Sequence, residues 1–173
     1  MTLNQFEAQV RRYQHRIYGF AFHYLGSREE AEDVTQEVFI RFWKFRDQID
    51  EEQPLGWLLR VTRNASVDAI RRRKTYRNAV AVNSEILDFA EGAEPSPAVS
   101  AESSDFRAHL ETALDAMSEP YRSIVILREM QEMQYQEICD ALELPLTTVK
   151  VYLHRARKML RKQLQEVMHS EID

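Results

Sequence analysis

Apolar positions recur at three- and four-residue intervals along most of the chain, the period of helices buried on one side. From Leu3 to Leu25 the stripe is Phe6, Val10, Tyr13, Ile17, Phe20 and Tyr24. Thr2 with Gln5 three residues on predicts a capping box, and Gly26 a stop. Ser27 with Glu30 opens a second helix by the same device. Its apolar side is Ala31, Val34, Val38, Phe42 and Phe45, and it frays between Asp47 and Glu52. Pro54 suits the first turn of a third helix that runs to about Tyr76. Leu55, Trp57, Leu58, Leu59, Thr62, Ala65 and Ala69 supply its buried side.

Between Asn78 and Ser104 the period lapses. Pro95-Ser96-Pro97 and an unbroken acidic bias mark a flexible linker, interrupted only by Ile86, Leu87 and Phe89. From Asp105 the helical period returns with Phe106, Leu110, Ala113, Leu114 and Met117. Ser118-Glu119-Pro120 predicts a break and restart with Ser118 as N-cap. Ile124, Val125 and Leu127 carry that helix to about Met130. Tyr135 to Leu142 and about Leu146 to Val167 complete the set. The expectation is an all-α protein: two small helical domains, residues 1–77 and 105–173, joined by an acidic flexible linker over 78–104.

Composition narrows the function. Four glycines and five prolines in 173 residues leave little material for hairpins. The one cysteine, Cys139, excludes an internal disulfide and speaks against a cysteine-based zinc site; it is expected to be a small buried residue. The first residues lack the basic and apolar blocks of a secretory signal, and no apolar run reaches the ~18–20 residues that cross a bilayer. A cytoplasmic protein with no membrane insertion of its own is expected. No Gly-rich phosphate loop, metal cluster or nucleophile–base pairing occurs, so neither an enzyme nor a cofactor is expected.

The net charge of −5 conceals a segregation of signs. Seven Arg and Lys lie between Arg60 and Arg77 with Asp68 as the only acid, and six lie between Lys150 and Lys162 with none. Acid gathers between Glu29 and Glu52 and again between Glu85 and Asp105. Two basic helices separated by acidic segments point to two polyanion contacts and to other partners that prefer acid.

The segment from Tyr135 to Val149 has the rhythm of a helix-turn-helix: a short helix containing Ala141, a tight turn, and a second helix that opens on hydroxyls. Ile138, Leu142, Val149, Leu153, Ala156 and Leu160 can face inward together. Thr147, Thr148, Lys150, Val151, His154, Arg155 and Lys158 are then left outside, where a recognition helix meets base edges in the major groove. Arg157, Arg161 and Lys162 extend the cationic surface toward phosphates. A solvated basic helix closing a bundle is the plainer alternative.

On the third helix Asn64, Asp68, Arg71 and Arg72 share one exposed side, flanked by Arg60, Arg63, Arg73 and Lys74. Asn can read a base edge and Arg can hold phosphates. Trp43, Phe45 and Trp57 are core residues first, and second a shelter for an unstacked base. The second helix opens on acids that repel DNA. A face of Asp33, Gln36, Glu37 and Ile40 is a reasonable docking stripe for a protein. Stabilisation of the helix dipole, worth ~0.3–1 kcal/mol per acid, accounts for Glu29 and Glu30 but hardly for Glu37.

The run from Ala31 to Phe39, followed by Trp57 to Asn64, resembles region two of the extracytoplasmic-function (ECF) sigma factors of the sigma-70 family. The stretch from Tyr135 to Leu160 resembles their region four. The resemblance implies a factor that binds core RNA polymerase and directs it to promoter DNA. It matches Asp33, Gln36, Glu37 and Phe39 to the grip on the coiled coil of the polymerase β′ subunit. It matches Arg60, Arg63, Asn64, Asp68 and Arg71 to recognition and melting of the minus-ten element, and Thr147 to Lys158 to reading of the minus-thirty-five element. It also implies contact with the β flap and control by an anti-sigma factor. Glu143 stands where the family often has Gly, at a cost of roughly 1 kcal/mol if the residue is left-handed. Thr147, Val151 and Tyr152 replace the common Gly, Ser and Arg of the recognition helix.

Two elements about two helical turns apart require the domains to span ~70 Å. A flexible linker near thirty residues has an r.m.s. span of ~30 Å and a full extension of ~100 Å. Simultaneous contact therefore needs core polymerase to hold the domains apart. The competing reading is a regulator with a C-terminal helix-turn-helix and a helical sensory domain, which leaves the basic third helix unexplained.

Overall fold

The computed structural model describes residues 1–83 and 101–170. Helices α1 (Leu3–Leu25), α2 (Arg28–Lys44) and α3 (Leu55–Asn83) form the N-terminal unit, with a 3-10 turn at Arg46–Gln48. Helices α4 (Ala101–Asp115), α5 (Tyr121–Val125), α6 (Tyr135–Leu142) and α7 (Leu146–Ser170) form the C-terminal unit. A π-helical turn, Ile126–Met130, prolongs α5. There is no strand among the described residues.

The helix ends follow local chemistry. Thr2 and Gln5 form the reciprocal capping box, and Gly26 ends α1 at φ 68°, a left-handed conformation natural to glycine. Ser27 caps α2 through the Glu30 N–H, but the Glu30 carboxylate turns away from the cap to an ion pair with Arg73 of α3. The α3 helix overruns its expected end near Tyr76 and continues to Asn83, because Arg77 to Ala81 contain neither Gly nor Pro to stop it. Residues 78–83 and 101–104 of the expected linker are therefore helical. The Ile86, Leu87 and Phe89 cluster lies outside the described residues. Ser118 is not the cap of α5: Pro120 occupies that position, and the Ser118 carbonyl accepts from the Arg122 N–H.

Inside the N-terminal unit, Ile17, Phe20, Ala21, Ala31, Val38, Phe42 and Leu58 are fully buried. Phe45, expected in that stripe, is 38% exposed at the end of α2. In the C-terminal unit Ala113, Leu114, Ile124, Leu127, Ile138, Val149 and Ala156 are buried, whereas Phe106 is exposed. The two cores are continuous. One cluster of buried apolar residues runs from Tyr13 in α1 to Ala156 in α7, and α3 packs against α6. The arrangement is thus clasped, with the C-terminal unit seated on α1 and α3.

Phe20 lies at the centre of this core, stacked on Tyr24 with ring centroids 5.7 Å apart. Phe20→Ala should destabilise the protein by about 3–5 kcal/mol through lost burial and the cavity left behind. Urea unfolding followed by circular dichroism measures this, and a loss below ~1 kcal/mol would contradict the packing.

Candidate functional site

The acidic face is built on α2. Burial of Ala31, Val34, Val38 and Phe42 on one side turns Asp33, Gln36 and Ile40 outward, with Ile40 62% exposed. Glu37 is half-buried and pairs with Arg41 one turn later. Phe39 does not join this face: at 8% exposure it packs into the core and fixes the orientation of the helix. Two grooves flank the ridge. One, of about 500 Å³, lies between α2 and α3 and is lined by Asp33, Glu37, Arg72 and Tyr76 among others. The other, of about 570 Å³, lies between α1 and α2, with His15, Tyr18, Asp33 and Gln36 in its walls. Asp33 borders both.

Along α3 the five minus-ten candidates divide. Asn64, Asp68 and Arg71 are exposed, with Asp68 and Arg71 3.6 Å apart. Arg60 and Arg63 are half-buried and already engaged: Arg60 pairs with Glu143, and Arg63 donates from Nε to Glu119 at 2.9 Å. Arg73, expected as a flanking cation, is a strut to Glu30 and to the Leu25 carbonyl. Trp43 packs edge-on against Phe6 and carries Arg46 over its ring, and Trp57 lies beside Phe42, so both belong to packing.

The helix-turn-helix is present as α6 and α7. Val149, Leu153 and Ala156 face inward, which leaves Thr147, Lys150, Val151, His154, Arg155 and Lys158 exposed on α7 and Thr148 half-buried. Glu143 caps α6 at φ 55°, the left-handed conformation in which a side chain is strained, and Leu144 N–H returns to the Cys139 carbonyl. Tyr152 does not face outward: it packs edge-on against Tyr121 with centroids 5.3 Å apart. Arg157 is tied to Glu129 at 2.6 Å. Cys139 is buried, and burial followed by the nearby Asp140 pushes its thiol up.

The residues that sequence reasoning missed sit between the units. Glu119 accepts from Tyr24 Oη at 2.8 Å, from Arg63, and from Ser123 Oγ. Burial, then the charge and hydrogen bond of Glu119, raise the Tyr24 phenol above its ordinary range. Arg122, 5% exposed, donates to the Tyr24 carbonyl. Arg16 meets Glu137 at 3.4 Å. No spacing signal announces pairs between separate helices. Among the described residues no group of His, Cys, Asp and Glu is arranged to hold a metal, and no helix is long and apolar enough to cross a membrane.

Comparison with known proteins gives two family matches: Sigma-70 region 2 over residues 9–76 and Sigma-70, region 4 over residues 107–160. The ECF RNA polymerase sigma factor SigW of Bacillus subtilis is 32% identical over 163 residues, covering 90% of this chain and 86% of that protein. SigE of Mycolicibacterium smegmatis is 34% identical over 155 residues, 90% of this chain but 60% of the longer relative. In fold, the chain is similar to the sigma factor RpoE bound to the anti-sigma factor NepR from Bartonella quintana. The TM-score is 0.68 at 21% identity, over 94% of this chain and 98% of that one. CnrH in complex with the cytosolic domain of CnrY gives a TM-score of 0.67 at 19% identity, over 93% and 88%.

His23 of α1 lies against α4 beside Arg107. Burial, and second the Arg107 charge, lower its pKa from the ordinary 6.5, so the fold favours the neutral ring. A base depressed in the folded state contributes stability above its unfolded pKa, and that contribution is lost as pH falls through 6.5 and below. Denaturation at pH 7.5 and 5.5 should therefore show a larger acid-induced loss for the native chain than for His23→Gln. Equal losses would contradict the assignment.

Proposed function

The chain belongs to the sigma-70 family, as an ECF sigma factor, and from that premise we propose how its surfaces divide the work of transcription initiation. Such factors bind RNA polymerase and promoter DNA and are initiation factors rather than enzymes. Residues 1–77 act as region two and residues 105–173 as region four, and the protein works in the cytoplasm.

The acidic ridge of α2, with Asp33, Gln36 and Glu37 beside exposed Ile40, takes the coiled coil of the β′ subunit. An anionic ridge with an apolar neighbour suits a basic helical partner and repels DNA. Phe39 supports this ridge from beneath. On α3, Asn64, Asp68 and Arg71 face the minus-ten element, and Arg60 and Arg63 join them once released from Glu143 and Glu119. Asn supplies base-edge hydrogen bonds, and the arginines hold the strand backbone. The outer face of α7, Thr147, Thr148, Lys150, Val151, His154, Arg155 and Lys158, enters the major groove of the minus-thirty-five element. The β flap is a further contact of the C-terminal unit. The neighbour bound to NepR supports control by an anti-sigma factor that holds this same two-unit fold.

The observation that carries the reading is the segregation of exposed charge by helix: acid on α2, cation on α3 and α7, within the stretches that match the two regions. Glu37→Lys should weaken co-purification with core polymerase about tenfold while leaving helicity intact; undiminished recovery of core enzyme would count against the α2 ridge. Lys150→Ala should lower promoter-directed transcription about tenfold with core binding retained. Loss of both activities together would instead mean that the fold has failed.

A further inference from the structure

The outer side of α7 carries two rows of unlike chemistry. Side chains four residues apart lie one above the other on a helix, so Thr147, Val151 and Arg155 form one row and Lys150, His154 and Lys158 the next. All six are exposed. The second row offers two ammonium groups and an imidazole, which suits phosphate. The first row has at its centre the one side chain of the six that can neither donate nor accept a hydrogen bond. That residue, Val151, is 47% exposed.

The fold does not ask for a valine there. The inner side of α7 is filled by Val149, Leu153 and Ala156, and Tyr152 supplies the edge contact with Tyr121. Helix propensity does not ask for it either, since a β-branched residue is less favourable in a helix than Lys, Arg or Gln. The branched Cβ does hold both methyl groups in essentially one rotamer, so Val151 stands as a rigid apolar knob in the second turn. A protein partner at this spot would have to strip water from Lys150, Arg155 and Lys158 around it, and the cores of protein interfaces are depleted in charge. A polyanion meets those cations favourably and leaves the knob facing the base edges.

In the major groove the base pairs present donors and acceptors and one apolar group, the C5 methyl of thymine. We propose that Val151 is the specificity residue by which α7 recognises that methyl, so that the duplex element read by this chain carries a thymine facing the second turn of the helix. The claim rests on the assignment of α7 to duplex DNA and narrows it to one base feature. Thr147, one turn earlier in the same row, and Arg155, one turn later, frame the contact with a hydroxyl and a guanidinium. A methyl group taken out of water against Val151 raises affinity about fourfold. Any other base at that position forfeits the gain.

The test uses the full chain assembled with core RNA polymerase. Duplexes randomised upstream of the start site are selected by run-off transcription with the native holoenzyme. Each thymine of the enriched upstream element, on either strand, is then replaced singly by deoxyuridine, which lacks only the methyl. One replacement should weaken binding of the labelled duplex by the native holoenzyme about fourfold in fluorescence anisotropy. Val151→Ser should bind the thymine and uracil duplexes equally, with circular dichroism unchanged. The inference is overturned if no replacement weakens the native holoenzyme, or if Val151→Ser keeps the same penalty at the same thymine. An upstream element that Lys150→Ala weakens but that ignores the methyl leaves α7 as the duplex reader and removes Val151 from the reading. Selection that enriches no upstream element defeats the duplex-reading role of α7 itself, and the methyl contact falls with it.

Discussion

Glu119 is the point at which the two halves of this protein become one object. Its carboxylate gathers a phenol from α1, a guanidinium from α3 and a hydroxyl from its own unit. A carboxylate enclosed to this degree is costly unless each lone pair is satisfied, and here the donors come mainly from the other unit. Its pairing therefore depends on the clasp, and the clasp depends in turn on the apolar seam that lets the partners approach. Separation of the units returns Glu119, Arg63 and Tyr24 to water. That exchange is close to balanced for polar groups, which makes such a contact reversible where a purely apolar one would be fixed.

This constraint orders the surfaces. The acidic ridge of α2 lies on the face of α2 turned away from its buried stripe and is open in the clasped form. The outer face of α7 is likewise open from Lys150 to Lys158. On α3 the cations are split, with Arg71 free of the seam and Arg60 and Arg63 drawn into it. If the two units read elements ~70 Å apart, as proposed, they cannot do so while sharing one core, and the bound form then differs from the clasped one.

Most of the local structure was legible in the sequence. The Thr2–Gln5 box and Gly26 fixed both ends of α1, and the period from Tyr135 to Ala156 placed α6 and α7 with their inner and outer faces. Departures came where two signals competed. Ser118 lost the cap of α5 to Pro120, and α3 ran on past Tyr76 because Arg77 to Ala81 favour helix. Phe39, matched to the polymerase grip by resemblance and not by helical spacing, packs into the core, and Tyr152, at the margin of the α7 face, packs against Tyr121. The seam between units was not legible. Its partners are separated by 56, 83 and 121 positions, and no periodicity links residues at such distances. Gly19 of α1 and Gly56 of α3 lie where the other unit approaches, but nothing in their sequence neighbourhood says what approaches them.

The most direct test of the account is the distance between the units in the free and polymerase-bound chain. Spin labels at Gln14 of α1 and Lys162 of α7, with Cys139→Ser to remove the native thiol, allow it to be read by pulsed electron resonance. The account predicts a short, narrow distribution for the free protein that lengthens by tens of ångströms, toward the ~70 Å spacing of the two elements, on addition of core enzyme. The same short distance with and without core polymerase would contradict it.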